Sequence, residues 1–199
     1  MEQDFLSELF ASRLRAAVLG FVVPRPHRGS SLTELSRALA LPISSLQHEC
    51  YKLERIGILV SHREGASRRY SMNAEFPLRR ELTALVVGAL GQKAALQATL
   101  EHLQTLESAF IAATLPLSRE MALESTTTIP LVLVGDIPLE EIDGAQGRVA
   151  DMLGLPAGRI ETVYYLPEDW HSRVAQRAPY AVWLLEGPRT HLLGTPVSD

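Results

Sequence analysis

Residues 44–55 gather Ser44, Ser45, Gln47, His48, Tyr51, Lys52 and Arg55, a set of hydroxyl, amide, imidazole, phenol and cationic groups. Hydroxyls and amides meet base edges or phosphate oxygens and cations neutralise phosphates, so the chemistry this set suits is recognition of nucleic acid. Leu46, Cys50, Leu53 and Ile56 recur among them at helical spacing and define an inward face. At about 100° per residue, Ser44, His48, Tyr51, Lys52 and Arg55 fall within roughly 60° of the opposite side, with Gln47 and Ser45 at its margins. Bond-making chemistry has no comparable signature. There is no Walker-type or dinucleotide glycine-rich loop and no nucleophile elbow. The histidines His27, His48, His62, His102, His171 and His191 show no ligand spacing with cysteine or carboxylate. Neither a metal nor a cofactor is expected.

The elements around this stretch would position it. Ser31 can cap a preceding helix while Glu34 reaches back to complete a capping box, and Leu32, Leu35 and Leu39 form that helix's apolar face before Pro42 breaks it. Gly57, free to take positive φ, ends the second helix. Ile58 and Val60 against Tyr70 and Met72 then give two short apolar-alternating runs around a Gly65-Ala66-Ser67 tip, a β-hairpin with Arg63, Arg68 and Arg69 at its base and flanks. Helix, turn, helix, glycine and basic hairpin follow one another in the order of a winged helix-turn-helix. The expected partner is double-stranded DNA, with helix 44–55 in the major groove and the three arginines on the backbone or an adjacent minor groove.

Composition divides the chain. Its 199 residues, 46% hydrophobic and 21% charged, suffice for two small cores. Residues 1–91 hold 12 Lys plus Arg against 9 Asp plus Glu, and residues 92–199 hold 7 against 14, so the net charge of −4 splits into +3 and −7. Nucleic acid would be met by the first half alone. The single cysteine, Cys50, excludes an internal disulfide and reads as a buried structural thiol. The N-terminus lacks the positive region of a secretory signal and no apolar run is long enough to span a bilayer, so a cytoplasmic protein without membrane contact is expected.

Along the chain, Phe5, Leu6, Leu9, Phe10, Leu14, Val18 and Phe21 predict one amphipathic helix ended by Pro24 and Pro26. A helix from Pro77 to Leu90, apolar on more than one side, suggests burial between domains or subunits, and Leu96, Leu100, Leu103 and Leu106 stripe the helix after it. Strands are then expected at 109–112, 131–134, 160–166 and 191–193, with helices at 139–153, 167–176 and 180–185, and an irregular segment at 116–128. The alternation implies helices packed on a small mixed sheet.

Asn73-Ala74-Glu75-Phe76-Pro77-Leu78-Arg79-Arg80-Glu81-Leu82 after the hairpin, Leu133-Val134-Gly135-Asp136 after the central strand, Val163-Tyr164-Tyr165-Leu166-Pro167-Glu168 at the next strand–helix junction and Leu185-Glu186-Gly187-Pro188 near the end carry, in their order and spacing, a resemblance. The chain resembles a bacterial and archaeal family of transcriptional regulators in which a winged helix-turn-helix is fused to a nucleotidyltransferase-like domain. The resemblance implies an α+β protein with a winged helix-turn-helix at 1–75, linking or dimerisation helices at 76–107 and a small α/β nucleotidyltransferase-like domain with a mixed sheet at 108–199. Enzymes of that fold hold phosphates on a Gly-Ser turn and magnesium on two aspartates alternating along the next strand, residues that point the same way toward one hard cation. Anchored on Gly135-Asp136, those positions fall here near Ala113-Thr114 and at Thr128 and Pro130. A proline side chain cannot ligate magnesium, and threonine is a weak substitute. Asp136 stands at a turn before Pro138, where a cap or turn role is expected, and Glu120 and Glu124 read as solvated charges. The expectation is therefore a dimeric DNA-binding regulator, not an enzyme. Its acidic half would serve dimerisation or bind a small ligand or protein partner. The alternatives are a protein-interaction module that uses the winged helix for protein contacts and an active nucleotidyltransferase with displaced carboxylates.

Overall fold

Alternating burial along the chain resolves into two separate cores. The computed structural model describes residues 2–26, 28–113 and 128–194 and divides the chain into two compact units, Met1–Gly91 and Gln92–Asp199. The boundary coincides with a positive-φ glycine, Gly91, between two helices. The expected linking segment 76–107 is thus shared out, its first helix in one unit and its second in the other. Among the described residues the fold is α+β, with one antiparallel sheet of three strands and one mixed sheet of four.

The first unit runs α1 (Glu2–Leu9), α2 (Arg13–Val22), β1 (Ser30–Ser31), α3 (Leu32–Leu39), α4 (Ile43–Arg55), β2 (Leu59–Glu64), β3 (Ser67–Met72) and α5 (Arg79–Leu90), with strand order β1-β3-β2. The single helix expected over 5–21 is two. Ala11 takes φ of 48°, and the Ser12 hydroxyl accepts a hydrogen bond from the Arg15 backbone N–H at 3.1 Å to start α2. The break leaves Phe5 and Leu9 exposed while Leu6 is buried. Ser31 and Glu34 form the expected capping box on α3. Its C-terminus is made by Ala40 in the left-handed conformation rather than by Pro42, which instead stands at the N-cap of α4. Leu35, Leu46, Cys50, Leu53 and Tyr70 pack with Val18, Leu19 and Val22 in one core, which Leu82 and Val86 of α5 join. Ile56 departs from the expectation: it lies one residue beyond α4 and is 55% exposed. The hairpin also differs by one residue. Leu59, opposite Met72, is the inward residue of β2, and Val60 points out. With a side-chain period of two, that shift moves the whole strand's apolar set to the other face.

The second unit runs α6 (Gln92–Leu100), β4 (Leu106–Ile111), β5 (Ile129–Gly135), α7 (Leu139–Leu153), β6 (Ile160–Tyr165), α8 (Pro167–Ala175), α9 (Pro179–Glu186) and β7 (Thr190–Gly194). The leucine stripe is helical only to Leu100; Leu103 lies in a turn and Leu106 opens β4. Strand order is β6-β5-β4-β7, parallel between β5 and β6 and antiparallel elsewhere. Phe110, Val132 and Val134 pack on Trp170 of α8 and on Ala181 and Leu184 of α9. The alternate residues Leu131 and Leu133 face the other side, where α6 and α7 lie: Gln97 of α6 bonds the Leu192 carbonyl of β7 at 2.7 Å and Gln146 of α7 bonds that of Ile160 at 2.6 Å. Two positions admit no side chain. A Cβ on Gly135 would sit 2.5 Å from the Thr105 carbonyl oxygen, and Gly194, at φ of 77°, closes directly on the Glu107 carbonyl. No helix among the described residues is long and apolar enough to cross a membrane.

Candidate nucleic-acid interface

Helix α4 separates its faces cleanly. Leu46, Cys50 and Leu53 are fully buried, and Ser44, Gln47, His48, Tyr51 and Arg55 are exposed, with Ser45 and Lys52 half-buried. The exposed side chains present donors and acceptors outward, and among the described residues none of them is hydrogen-bonded within the chain. Burial has a sharp effect on Cys50: desolvation, followed by the nearby charges of Glu49 and Glu54, pushes its thiol up to about 12. A thiol so held is protonated and unreactive at neutral pH.

Sequence reasoning missed Glu49. It sits three residues after Leu46 and four before Leu53, on the flank of the inward face, and its side chain is 4% exposed. Arg15 of α2 reaches it with Nε at 2.7 Å, and Lys52 approaches at 3.7 Å. A carboxylate taken out of water needs such partners. Lys52 is therefore shared between this pair and the outward face, while Arg15 pins α4 to α2.

The hairpin arginines divide by role. Arg68 donates from Nη2 to both oxygens of Glu54, at 2.8 and 2.7 Å, and from Nε to Ser61 Oγ at 2.7 Å, with its guanidinium over the Tyr70 ring at 5.4 Å. Ser61 donates in turn to Glu54 at 2.6 Å. Arg69 donates to Glu34 and to the Gly29 carbonyl, each at 2.8 Å, and approaches Glu64 at 2.5 Å. These two arginines are braces: one ties the hairpin to the end of α4, the other to the start of α3. Glu54, Glu34 and Glu64 thus stand against two of the three hairpin arginines expected to meet phosphates. Arg63 is exposed and, among the described residues, has no carboxylate partner. Arg55 matches it at the end of α4. The acids register the braces. Hydrogen bonding to the Ser31 backbone, then the charge of Arg69 and the Ser31 hydroxyl, holds Glu34 below the usual carboxylate range despite partial burial. The Ser61 hydroxyl and then Arg68 do the same for Glu54.

In the second unit Pro130 is buried in β5 opposite Glu161 of β6, and its carbonyl accepts from the Ala112 N–H at 3.0 Å. Thr128 Oγ1 donates to Glu161 Oε2 at 3.2 Å, and both line a cavity of about 450 Å³ with Asp143, Gln146 and Thr162. Asp136 is exposed and takes part through its backbone, its carbonyl accepting from Thr105 Oγ1 at 2.5 Å; the N-cap of α7 is Pro138. Among the described residues no group of three His, Cys, Asp or Glu could hold a metal ion. Thr114, Glu120, Glu124 and His27 lie outside the described residues. Comparison with known protein families, curated proteins and solved structures finds no match for the chain.

Proposed function

We propose that the chain is a sequence-specific DNA-binding transcriptional regulator of the cytoplasm, acting as a homodimer. In this reading the first unit is a winged helix-turn-helix and the second a nucleotidyltransferase-like domain without transfer activity, serving dimerisation, ligand sensing or partner docking. The observation that carries the reading is the outward face of α4, where Ser44, Gln47, His48, Tyr51 and Arg55 stand without a partner among the described residues, on a helix tied through Glu49 to Arg15, through Glu54 to Arg68 and by its inner face to the core. A rigid helix with unengaged donors and acceptors is what base-edge reading requires. Arg63 at the hairpin and Arg55 at the helix end flank that face as phosphate contacts, with Lys52 contributing in part. Arg68 and Arg69 act on DNA only through the geometry they hold. Exposed Phe5 and Leu9 on α1 offer apolar surface for subunit pairing. Thr128 and buried Pro130 leave the second unit without an alternating carboxylate pair on β5, so no nucleotide transfer is expected.

Sequencing DNA retained by the purified chain from a random pool, followed by a salt titration on the recovered site, tests the reading. It predicts one preferred sequence and an affinity that falls steeply with salt. Recovery of random sequence, or affinity indifferent to salt, would move the function to the protein-interaction alternative.

A further inference from the structure

Helix α4 opens on an apolar side chain that its packing leaves in solvent. Ile43, its first residue, is 45% exposed, although it stands three and seven residues before the fully buried Leu46 and Cys50. A β-branched residue gains little at such a position from helix propensity. One exposed apolar side chain is ordinary on a protein surface. The neighbours of Ile43 set it apart. At about 100° per residue it lies roughly 40° from Gln47 and 80° from Tyr51, so the three form one ridge along the helix at i, i+4 and i+8. Gln47 is exposed with it, and so is Tyr51, by 57%. The ridge thus sets an alkyl group, an amide and a phenol side by side. The first turn of α4 holds no acidic residue, so the end that carries Ile43 brings no negative charge of its own against a phosphate backbone.

We propose that Ile43 is a specificity-determining residue that reads the 5-methyl group of a thymine in the major groove. The inference rests on the DNA-binding reading of α4 and goes beyond it by naming what one side chain recognises. An isoleucine side chain has no donor or acceptor, so the base-edge group it selects must be apolar, and the thymine methyl is the one such group that the base pairs present in the major groove. Contact between the two removes apolar area of both from water, whereas cytosine at the same place sets its amino group against an alkyl wall that cannot accept a hydrogen bond. Gln47, one turn further on, has the paired donor and acceptor that fit an adenine. Four residues of helix span about 6 Å and one base-pair step about 3.4 Å, so the thymine belongs within about two base pairs of the pair that Gln47 reads.

The test uses the full chain and the preferred site recovered from a random pool, with each thymine in turn replaced by deoxyuridine. That replacement removes the methyl and keeps every donor and acceptor. In the wild type, deoxyuridine at one position of a half-site should weaken binding about fourfold, the effect of one methyl leaving an apolar contact. Ile43→Ala should weaken binding to the thymine site by a similar factor and show no further loss on deoxyuridine at that position, so the two changes are not additive. Ile43→Val, which keeps a shorter alkyl wall, should retain part of the methyl sensitivity. Far-ultraviolet circular dichroism and melting temperature should stay near wild type in both variants, because the side chain is largely in solvent. A pool selected with Ile43→Ala should lose the thymine preference at that position and keep the base set by Gln47. A preferred site insensitive to every deoxyuridine, or a methyl sensitivity that Ile43→Ala leaves intact, would overturn the inference while the DNA reading stands. Recovery of random sequence by the wild type overturns the DNA reading itself, and this inference with it.

Discussion

The two units manage charge differently. The first pairs it: Glu34 with Arg69, Glu49 with Arg15 and Glu54 with Arg68 each join two elements, and the last two tie α4 to its neighbours. The second holds a half-buried contact that needs a neutral partner. Arg148 of α7 donates to His102 Nε2 at 3.0 Å, which leaves His102 Nδ1 to donate to the Thr99 carbonyl at 3.0 Å, and desolvation followed by the Arg148 charge holds the imidazole below its usual titration range. Elsewhere the second unit packs apolar side chains on both faces of its sheet, with Gln97 tied to β7, Gln146 to β6 and His171 to Glu107 of β4 at 2.9 Å. Ion pairs across elements are directional and fix where a surface points, whereas alternating apolar strands fix a core and leave the surface free.

Two natural reporters separate the units. Both tryptophans, Trp170 and Trp183, lie in the second, and the single cysteine, Cys50, is buried in the first. The largest expected effect is on the second unit. Leu133→Ala, in the central strand, should cost about 4 kcal/mol, and denaturant titration followed by tryptophan fluorescence measures it. Labelling of Cys50 in the same variant should keep its wild-type protection, and a common loss of both signals would dissolve the distinction between the units. Arg15→Met is the converse, because it leaves the buried Glu49 carboxylate with the longer Lys52 contact; about 2 kcal/mol should be lost, seen as faster Cys50 labelling with unchanged fluorescence.

The pH windows differ next. Folding holds Glu34 and Glu54 below the ordinary glutamate value of 4.5, so the stability they give is present above that value and is lost as pH falls through their lower folded values. His102 also titrates lower when folded, but the unfolded imidazole takes up its proton near 6.5, so its contribution is complete above that pH and declines as the pH falls below it. Acidification should therefore weaken the second unit first. Thermal unfolding by tryptophan fluorescence and by Cys50 labelling across pH checks the order, and the reverse order would contradict the assignment.

What the sequence revealed follows the same division. Local signals were legible: the Ser31–Glu34 capping box, the apolar run of β5 and the helix over 139–153 are each specified within a few residues. Pairings distant in sequence were not. Nothing near Arg69 announces Glu34, 35 residues away, and the partners of Arg68 are dispersed, Glu54 on α4 and Ser61 on β2. The helix break at Ala11 lacks the glycine or asparagine that usually marks a positive φ. Glu49 could have been found, since its spacing from Leu46 and Leu53 places it on the inward flank. Among the candidate interface residues, the outward set of α4 was legible from helical periodicity, and the contacts of Arg68 and Arg69 with Glu54 and Glu34 were not.

That contrast sharpens the expectations for DNA. Arg63→Ala should reduce the salt dependence of binding by about one phosphate contact. Arg68→Ala should reduce affinity with little change in that dependence, because its charge is spent on Glu54. Equal slopes for the two variants would erase the division between brace and contact.

The central claim, that the outward face of α4 reads bases, is tested most directly by comparing wild-type, Gln47→Ala and His48→Ala chains on the preferred site and on random DNA. The account predicts a loss of about 1–3 kcal/mol on the preferred site in at least one variant, with binding to random DNA nearly unchanged. Equal losses on both DNAs, or unchanged binding in both variants, would contradict it.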